Sequence, residues 1–267
     1  MTDIRSIVIV GCGNMGGAML HGWLAGGFPA ERITVVDPVL GSTPASVALL
    51  REPPQGPFDL LLLGIKPQML DRVAPSIRHL AGAGTTVLSI LAGVELTSLA
   101  RHFPDAWACA RLMPNLAASL GKSPMALAGT DIDAGCRAAL DTVLAPLGAV
   151  EWLDEAQFDL VTALVGSGPA FVYRFIDALA AGAAELGMER AKAERMAMAM
   201  VEGAVALAVA ADVSPGELAR RVASPGGTTE AGLKVLDADS AMARLMEATL
   251  RAARDRGAEM AAEARGT

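Results

Sequence analysis

Short apolar runs alternate with amphipathic stretches through the first half of the chain. Ile7–Val10, Ile33–Val36 and residues 60–65, 86–91 and 107–113 read as strands. Residues 60–65 and 86–91 are almost unbroken by polar side chains, the pattern of strands buried on both faces of a sheet. Residues 15–25, closed by Gly26-Gly27, have helical spacing, as do 68–80, Leu96–His102 and 133–147. Residues 38–57 are few, and within them 44–50 reads as one brief helix, leaving a third strand missing or vestigial. Strands alternating with helices imply a parallel-rich sheet with right-handed crossovers. The character changes near 148–153. After Glu155 strand-like runs cease, and 170–186, 191–211 and 241–264 are long helices rich in Ala and Met. The expectation is an α/β domain over residues 1–152 followed by an all-α domain over 153–267.

Composition narrows the partners. Apolar residues make up 52% and aromatics 4%, which fits closely packed helices and excludes a disordered chain. The formal charge of −7, with no Lys/Arg stripe, argues against nucleic acid, whose phosphates need clustered positive charge. The N-terminus has no basic segment ahead of an apolar core, so no secretory signal is expected. No apolar run reaches about 18 residues, so no membrane span is expected either. Cys12, Cys109 and Cys136 are odd in number and lack metal-ligand spacing, which reads as reduced thiols in a cytoplasmic protein. His21, His79 and His102 likewise have no neighbour at metal or triad spacing, and no metal is expected. The helices of the second half carry more apolar surface than a domain of about a hundred residues buries alone, which predicts a homodimer.

Candidate chemistry begins at Gly11-Cys12-Gly13-Asn14-Met15-Gly16. Its G-x-G-x-x-G spacing directly follows a strand and opens a helix, the context a dinucleotide pyrophosphate requires. The helix presents N–H groups and the positive end of its dipole to the phosphates. Asp37 ends the second strand. It either accepts hydrogen bonds from the adenosine ribose, which favours NADH over NADPH, or is a turn residue beside Pro38. Arg32 precedes that strand and Arg51 is distant in sequence, so neither reads as a phosphate partner. Lys66-Pro67 and Ala92 follow strands and so fall at the crevice edge, although Lys66 reads equally as a solvated charge. Asn115, after Met113-Pro114, is a cofactor contact or a turn-stabilising residue.

A second constellation lies late in the chain. Ser224-Pro225-Gly226-Gly227-Thr228-Thr229 offers hydroxyls and backbone N–H groups to a small anion at a helix start. The competing reading is a helix cap, with Thr228 as N-cap and Glu230 nearby. Gly166-Ser167-Gly168-Pro169 reads as a break before a helix with Pro169 in its first turn. Together with the dinucleotide loop, these segments point to a reductase of a small carboxylate.

These blocks, with Lys66-Pro67-Gln68, Met113-Pro114-Asn115 and Thr162-Ala163-Leu164, occur in the order found in pyrroline-5-carboxylate reductases, and the chain resembles that family nearly end to end. The resemblance implies a Rossmann-type domain with a C-terminal helical dimerisation domain, and often a larger ring of dimers. It implies reduction of a cyclic imine carboxylate, 1-pyrroline-5-carboxylate, to L-proline with NADPH or NADH. It implies that Ser224, Gly226, Gly227, Thr228 and Thr229 hold the substrate carboxylate. The Thr229 hydroxyl then meets the ring nitrogen as the catalytic group, and Ser167 lies beside nicotinamide and substrate. The chain departs from the family at the short segment 38–57, at Leu116-Ala117 in place of Thr-Pro, at Ser123 in place of Gly and at Val165 in place of Ser. Those departures keep open a related cyclic imine acid as substrate, or a catalytically silent dinucleotide-binding partner. A β-hydroxyacid dehydrogenase would need a general acid/base Lys where Val172 stands.

Overall fold

The computed structural model describes residues 3–44, 46–130 and 132–265. The chain divides into two compact units, Met1–Gly166 with Ala252–Thr267, and Ser167–Arg251. The first unit carries strands β1 (Ile7–Val10), β2 (Ile33–Val36), β3 (Ala48–Leu50), β4 (Leu60–Leu63), β5 (Thr86–Ser89), β6 (Ala108–Met113), β7 (Ser123–Thr130) and β8 (Gly148–Trp152). They form one eight-stranded sheet in the order β3-β2-β1-β4-β5-β6-β7-β8. Neighbours are parallel except β6 with β7. The parallel-rich α/β sheet expected from the alternating runs is therefore present. The strand order reverses between β1 and β4, and that switch point opens a crevice beyond the carboxyl ends of the strands.

Helices α1 (Asn14–Ala25), α2 (Leu70–Ile77), α3 (Leu96–His102) and α4 (Ala134–Leu144) cover the two faces of the sheet. Alternate strand residues point to opposite faces, so one apolar run feeds two cores. Ile7, Ile9, Leu60 and Leu62 pack with Met19, Leu20 and Trp23 of α1 and with Leu140 and Leu144 of α4. Val8, Val10, Leu61 and Leu63 pack with Leu70, Ala74 and Ile77 of α2 and with Leu96 and Leu99 of α3. The Trp23 indole N–H donates to Val143 O at 2.8 Å, which satisfies its polar atom and ties α1 to α4.

Three local expectations are corrected. The brief helix expected at 44–50 is instead the three-residue strand β3, paired parallel to β2 from Thr34↔Ala48 to Val36↔Leu50. Pairing satisfies the open edge of β2, and that tertiary gain overrides the local helical reading. The third strand is present but short. β7 was not anticipated, because Ser123, Pro124, Ala126, Ala128 and Gly129 are poor strand formers and only the terminal Thr130 is β-branched. β8 occupies the segment read only as a change of character.

After β8, helix α5 (Phe158–Val161) runs into a π-helical turn, Thr162–Gly166. The second unit begins with α6 (Gly168–Glu185), which has Pro169 in its first turn as expected. It continues with α7 (Arg190–Ala210), α8 (Pro215–Arg221) and α9 (Thr228–Asp237), and α10 (Ala241–Arg265) carries the chain across the unit boundary at Arg251. α6 and α7 pack against each other. Glu189 caps α7, its carboxylate accepting from the N–H groups of Ala191 and Lys192 at 2.9 and 3.1 Å. Tyr173, Met196, Met198, Met200, Leu207 and Val209 remain exposed in the single chain. No single helix among the described residues is long and apolar enough to cross a membrane.

Candidate functional site

Sheet register brings the candidate cofactor residues of the first unit to one edge. Val10 pairs with Val36 on one side and Leu63 on the other, so Gly11, Asp37 and Gly64 emerge side by side at the carboxyl ends of β1, β2 and β4. Lys66 and Pro67 follow β4, Ala92 follows β5 and Asn115 follows β6, on the same edge. Gly11 turns the chain at φ +85°, and a Cβ there would lie 2.8 Å from Gly64 and Ile65 backbone atoms. Gly16 packs the helix onto the strand, since its Cβ would lie 2.9 Å from Gly11 O. Gly64 is an unanticipated partner: its Cβ would lie 2.3 Å from Gly11 O. Its signal was present in the sequence, as the first glycine after the apolar run 60–63.

Gly13 differs from these. A Cβ there meets nothing within 4 Å, and as N-cap of α1 it provides no side-chain hydrogen bond. No side chain caps the first-turn N–H groups of α1, and the space beside Gly13 at its start is open. An uncapped helix start behind a glycine loop is the donor set a pyrophosphate requires, so the residues present fit a dinucleotide.

Asp37 organises this edge from within. Its Oδ2 accepts from Cys12 N at 2.9 Å, and its Oδ1 accepts from Val39 N at 2.9 Å and Leu40 N at 3.0 Å. Burial alone would raise its pKa, but those three N–H bonds and the charge of Arg51 outweigh it and hold the carboxyl below its ordinary value. Burial, and then the Asp37 charge, push the Cys12 thiol up to about 11. Arg51 corrects the sequence reading: it is not remote from Asp37 but lies on the same turn. Its Nη1 donates to Asp37 O at 2.8 Å and to Leu40 O at 2.6 Å.

Lys66 is exposed at the end of β4, and Ala92 is half-buried in the turn after β5. The Asn115 side chain is engaged internally: Oδ1 accepts from Ala117 N at 3.0 Å and Nδ2 donates to Val165 O at 3.2 Å. The second bond ties the end of β6 to the π-helical turn, a helix irregularity that often accompanies functional sites. Ser123, one of the departures from the family pattern, has a structural part here, because its Oγ accepts from Asn115 N at 2.9 Å. Arg111 on β6 is buried and pairs with Glu155 at 2.8 Å, while the same Glu155 oxygen accepts from Leu96 N at 2.8 Å. The Arg111 guanidinium lies 4.1 Å from the centre of the Phe158 ring. One carboxylate thus joins β6, the start of α3 and the approach to α5. The pairing was not legible in the sequence, since it joins residues 44 apart.

The second unit holds the candidate anion-binding bend. Gly226 adopts φ +71°, where glycine avoids the Cβ strain of other residues. The N-cap of α9 is Gly227, not Thr228, which is the first helical residue. The bend uses up two amides internally: Gly227 N donates to Ser224 O at 2.9 Å and Gly226 N to Glu230 Oε2 at 2.7 Å. The Glu230 carboxylate thus occupies the Gly226 N–H from within the same helix start. Ser224, Thr228 and Thr229 are exposed around it. Ser167 stands at the start of α6 and makes no side-chain cap.

Fold and loop define the class: a Rossmann-type dinucleotide-binding protein with a helical C-terminal region. Comparison with known proteins is more specific. Residues 155–260 match the family described as pyrroline-5-carboxylate reductase dimerisation. A pyrroline-5-carboxylate reductase of Pseudomonas aeruginosa is 33% identical over 264 residues, covering 96% of each chain. One from Methanosarcina acetivorans is 32% identical, covering 93% of this chain and 95% of its relative. A solved pyrroline-5-carboxylate reductase from Coxiella burnetii superposes with a TM-score of 0.88 at 28% identity, over 96% of this chain and 98% of the other. The chain belongs to the pyrroline-5-carboxylate reductase family.

Proposed function

We propose that this chain reduces 1-pyrroline-5-carboxylate to L-proline with NADPH or NADH. The observation that carries this reading is the open, uncapped start of α1 behind the glycine loop, in a chain related to such reductases along 96% of its length. NAD(P)H, when bound, supplies a hydride to the imine carbon while the C=N π pair passes to nitrogen. A protonated imine is already electrophilic, so the protein's task is chiefly to bind and orient. Gly11, Cys12, Gly13, Asn14, Met15 and Gly16 hold the pyrophosphate, with Asp37, Lys66, Pro67, Ala92 and Asn115 along the crevice. Ser224, Thr228 and Thr229 hold the substrate carboxylate around the bend that Gly226 and Gly227 shape, with Ser167 a further substrate contact. The Thr229 hydroxyl holds the ring nitrogen and its proton.

Residues 1–152 form the dinucleotide-binding domain in this proposal, and 153–267 the substrate and dimerisation domain. The exposed apolar side chains of α6 and α7 support a homodimer, assembled further into a ring of dimers. The free, buried Cys12, Cys109 and Cys136 support a cytoplasmic setting. Steady-state kinetics on Thr229→Ala test the assignment: kcat falls by about a hundredfold, within the range for lost proton handling, while cofactor affinity changes less than about threefold. Equal turnover removes Thr229 from the mechanism. A panel of five- and six-membered cyclic imine acids separates the substrate readings, since preference for the larger ring favours a related acid. Dinucleotide binding with no turnover on any imine favours a silent partner.

A further inference from the structure

The adenosine end of the crevice carries a charge that the sequence separates from it by 14 residues. β3 pairs with β2 at Val36↔Leu50, and Asp37 N donates to Leu50 O at 3.0 Å, so Arg51 emerges beside Asp37. Both main-chain bonds of Arg51 to the turn come from Nη1, to Asp37 O and Leu40 O. Nε and Nη2 of this exposed residue have no hydrogen-bond partner among the described residues. The guanidinium is thus fixed by one edge while its other donors stay free. Asp37 has the opposite arrangement. It is only 8% exposed, and both carboxylate oxygens are turned onto the N–H groups of Cys12, Val39 and Leu40.

In dinucleotide folds, the group facing outward beyond the second strand reads the adenosine ribose. A carboxylate there accepts from the 2′-hydroxyl and repels a 2′-phosphate, whereas an arginine accommodates the phosphate. Here the acid faces inward and the arginine outward. We propose that Arg51, delivered by β3, binds the 2′-phosphate of NADPH and makes the chain accept the phosphorylated cofactor despite Asp37. This rests on the NAD(P)H-dependent reading above. A planar guanidinium whose Nε and Nη2 donors are free suits phosphate oxygens, and its clamp to the turn limits the entropy lost on binding.

Two variants probe the charge. Arg51→Ala removes the cation and the side chain beyond Cβ, while Arg51→Gln removes the cation and leaves a shorter polar side chain beside the turn. Both are expected to lower the ratio of kcat/KM with NADPH to kcat/KM with NADH at least fivefold, and a smaller change overturns the proposal. Calorimetric titration with 2′,5′-ADP and 5′-AMP, which differ only in the 2′-phosphate, reads the same contact without turnover. Wild type is expected to bind 2′,5′-ADP at least fivefold tighter, with the advantage lost in both variants. Equal binding by wild type, or an advantage that the variants keep, overturns the assignment. If no imine is reduced with either cofactor, the proposed reaction fails while this pair of nucleotides still decides the role of Arg51.

Discussion

Replacing Gly13 by alanine separates what the glycine loop does for the fold from what it does for the cofactor. The added Cβ meets no atom of the protein within 4 Å, so the folded chain suffers no clash. The residue's φ of −72° is open to alanine. Alanine is a poorer N-cap than glycine by roughly 0.5 kcal/mol, but it lowers the entropy of the unfolded chain by about the same amount. Stability should therefore change by less than about 1 kcal/mol. The methyl group occupies the space before the N–H groups of α1, which a pyrophosphate must approach. Weakening one charge-assisted hydrogen bond costs about 1.5–3 kcal/mol, a loss of roughly ten- to a hundredfold in affinity. Gly64→Ala supplies the contrast. Its Cβ would lie 2.3 Å from the backbone oxygen of Gly11, so it should lower stability by about 1–3 kcal/mol as well as weaken binding. Urea unfolding followed by circular dichroism gives the first quantity, and fluorescence titration with NADPH gives the second. Unchanged affinity in Gly13→Ala, or an affinity loss that merely tracks a stability loss, would refute the reasoning.

Three further outcomes follow from the first unit. Glu155→Ala leaves the buried Arg111 without its ion pair and Leu96 N–H without its acceptor, and should cost about 3 kcal/mol in urea unfolding. A loss under about 1 kcal/mol contradicts the role given to that carboxylate. The Asp37 carboxyl titrates below its ordinary 3.8, so its stabilisation is in force above that value and is lost as pH falls through the lower folded value. The stability gap between wild type and Asp37→Asn should accordingly narrow on going from neutral pH into acid, and a gap that widens there contradicts the hydrogen-bond pattern. Burial pushes the thiols of Cys12 and Cys109 up to about 11 and raises that of Cys136, so the native protein should resist iodoacetamide near pH 8 and react only once unfolded. Rapid native alkylation of Cys12 would show that its burial has been misjudged.

The strands that form the crevice were legible because residues buried on both faces leave unbroken apolar runs. Ile7–Val10 and Ile33–Val36 have the expected limits, while β4 ends at Leu63 because Gly64 turns away toward Gly11. The glycine loop was legible because its spacing is local. β3 was not, since its three residues are a strand only through pairing with β2. The meeting of Arg51 with Asp37 was hidden for the same reason, being a consequence of that register. The competing reading of Thr228 as N-cap rested on the usual preference for serine and threonine there, whereas here Gly227 takes the position and Glu230 reaches back to Gly226 N–H.

Isotope transfer tests the central claim most directly. The purified protein is supplied with 1-pyrroline-5-carboxylate and reduced cofactor carrying deuterium at both C4 positions, and the product is examined by mass spectrometry and NMR. The account predicts L-proline with one deuterium on the former imine carbon for each cofactor oxidised. Unlabelled proline, or cofactor bound with no proline formed, would contradict it.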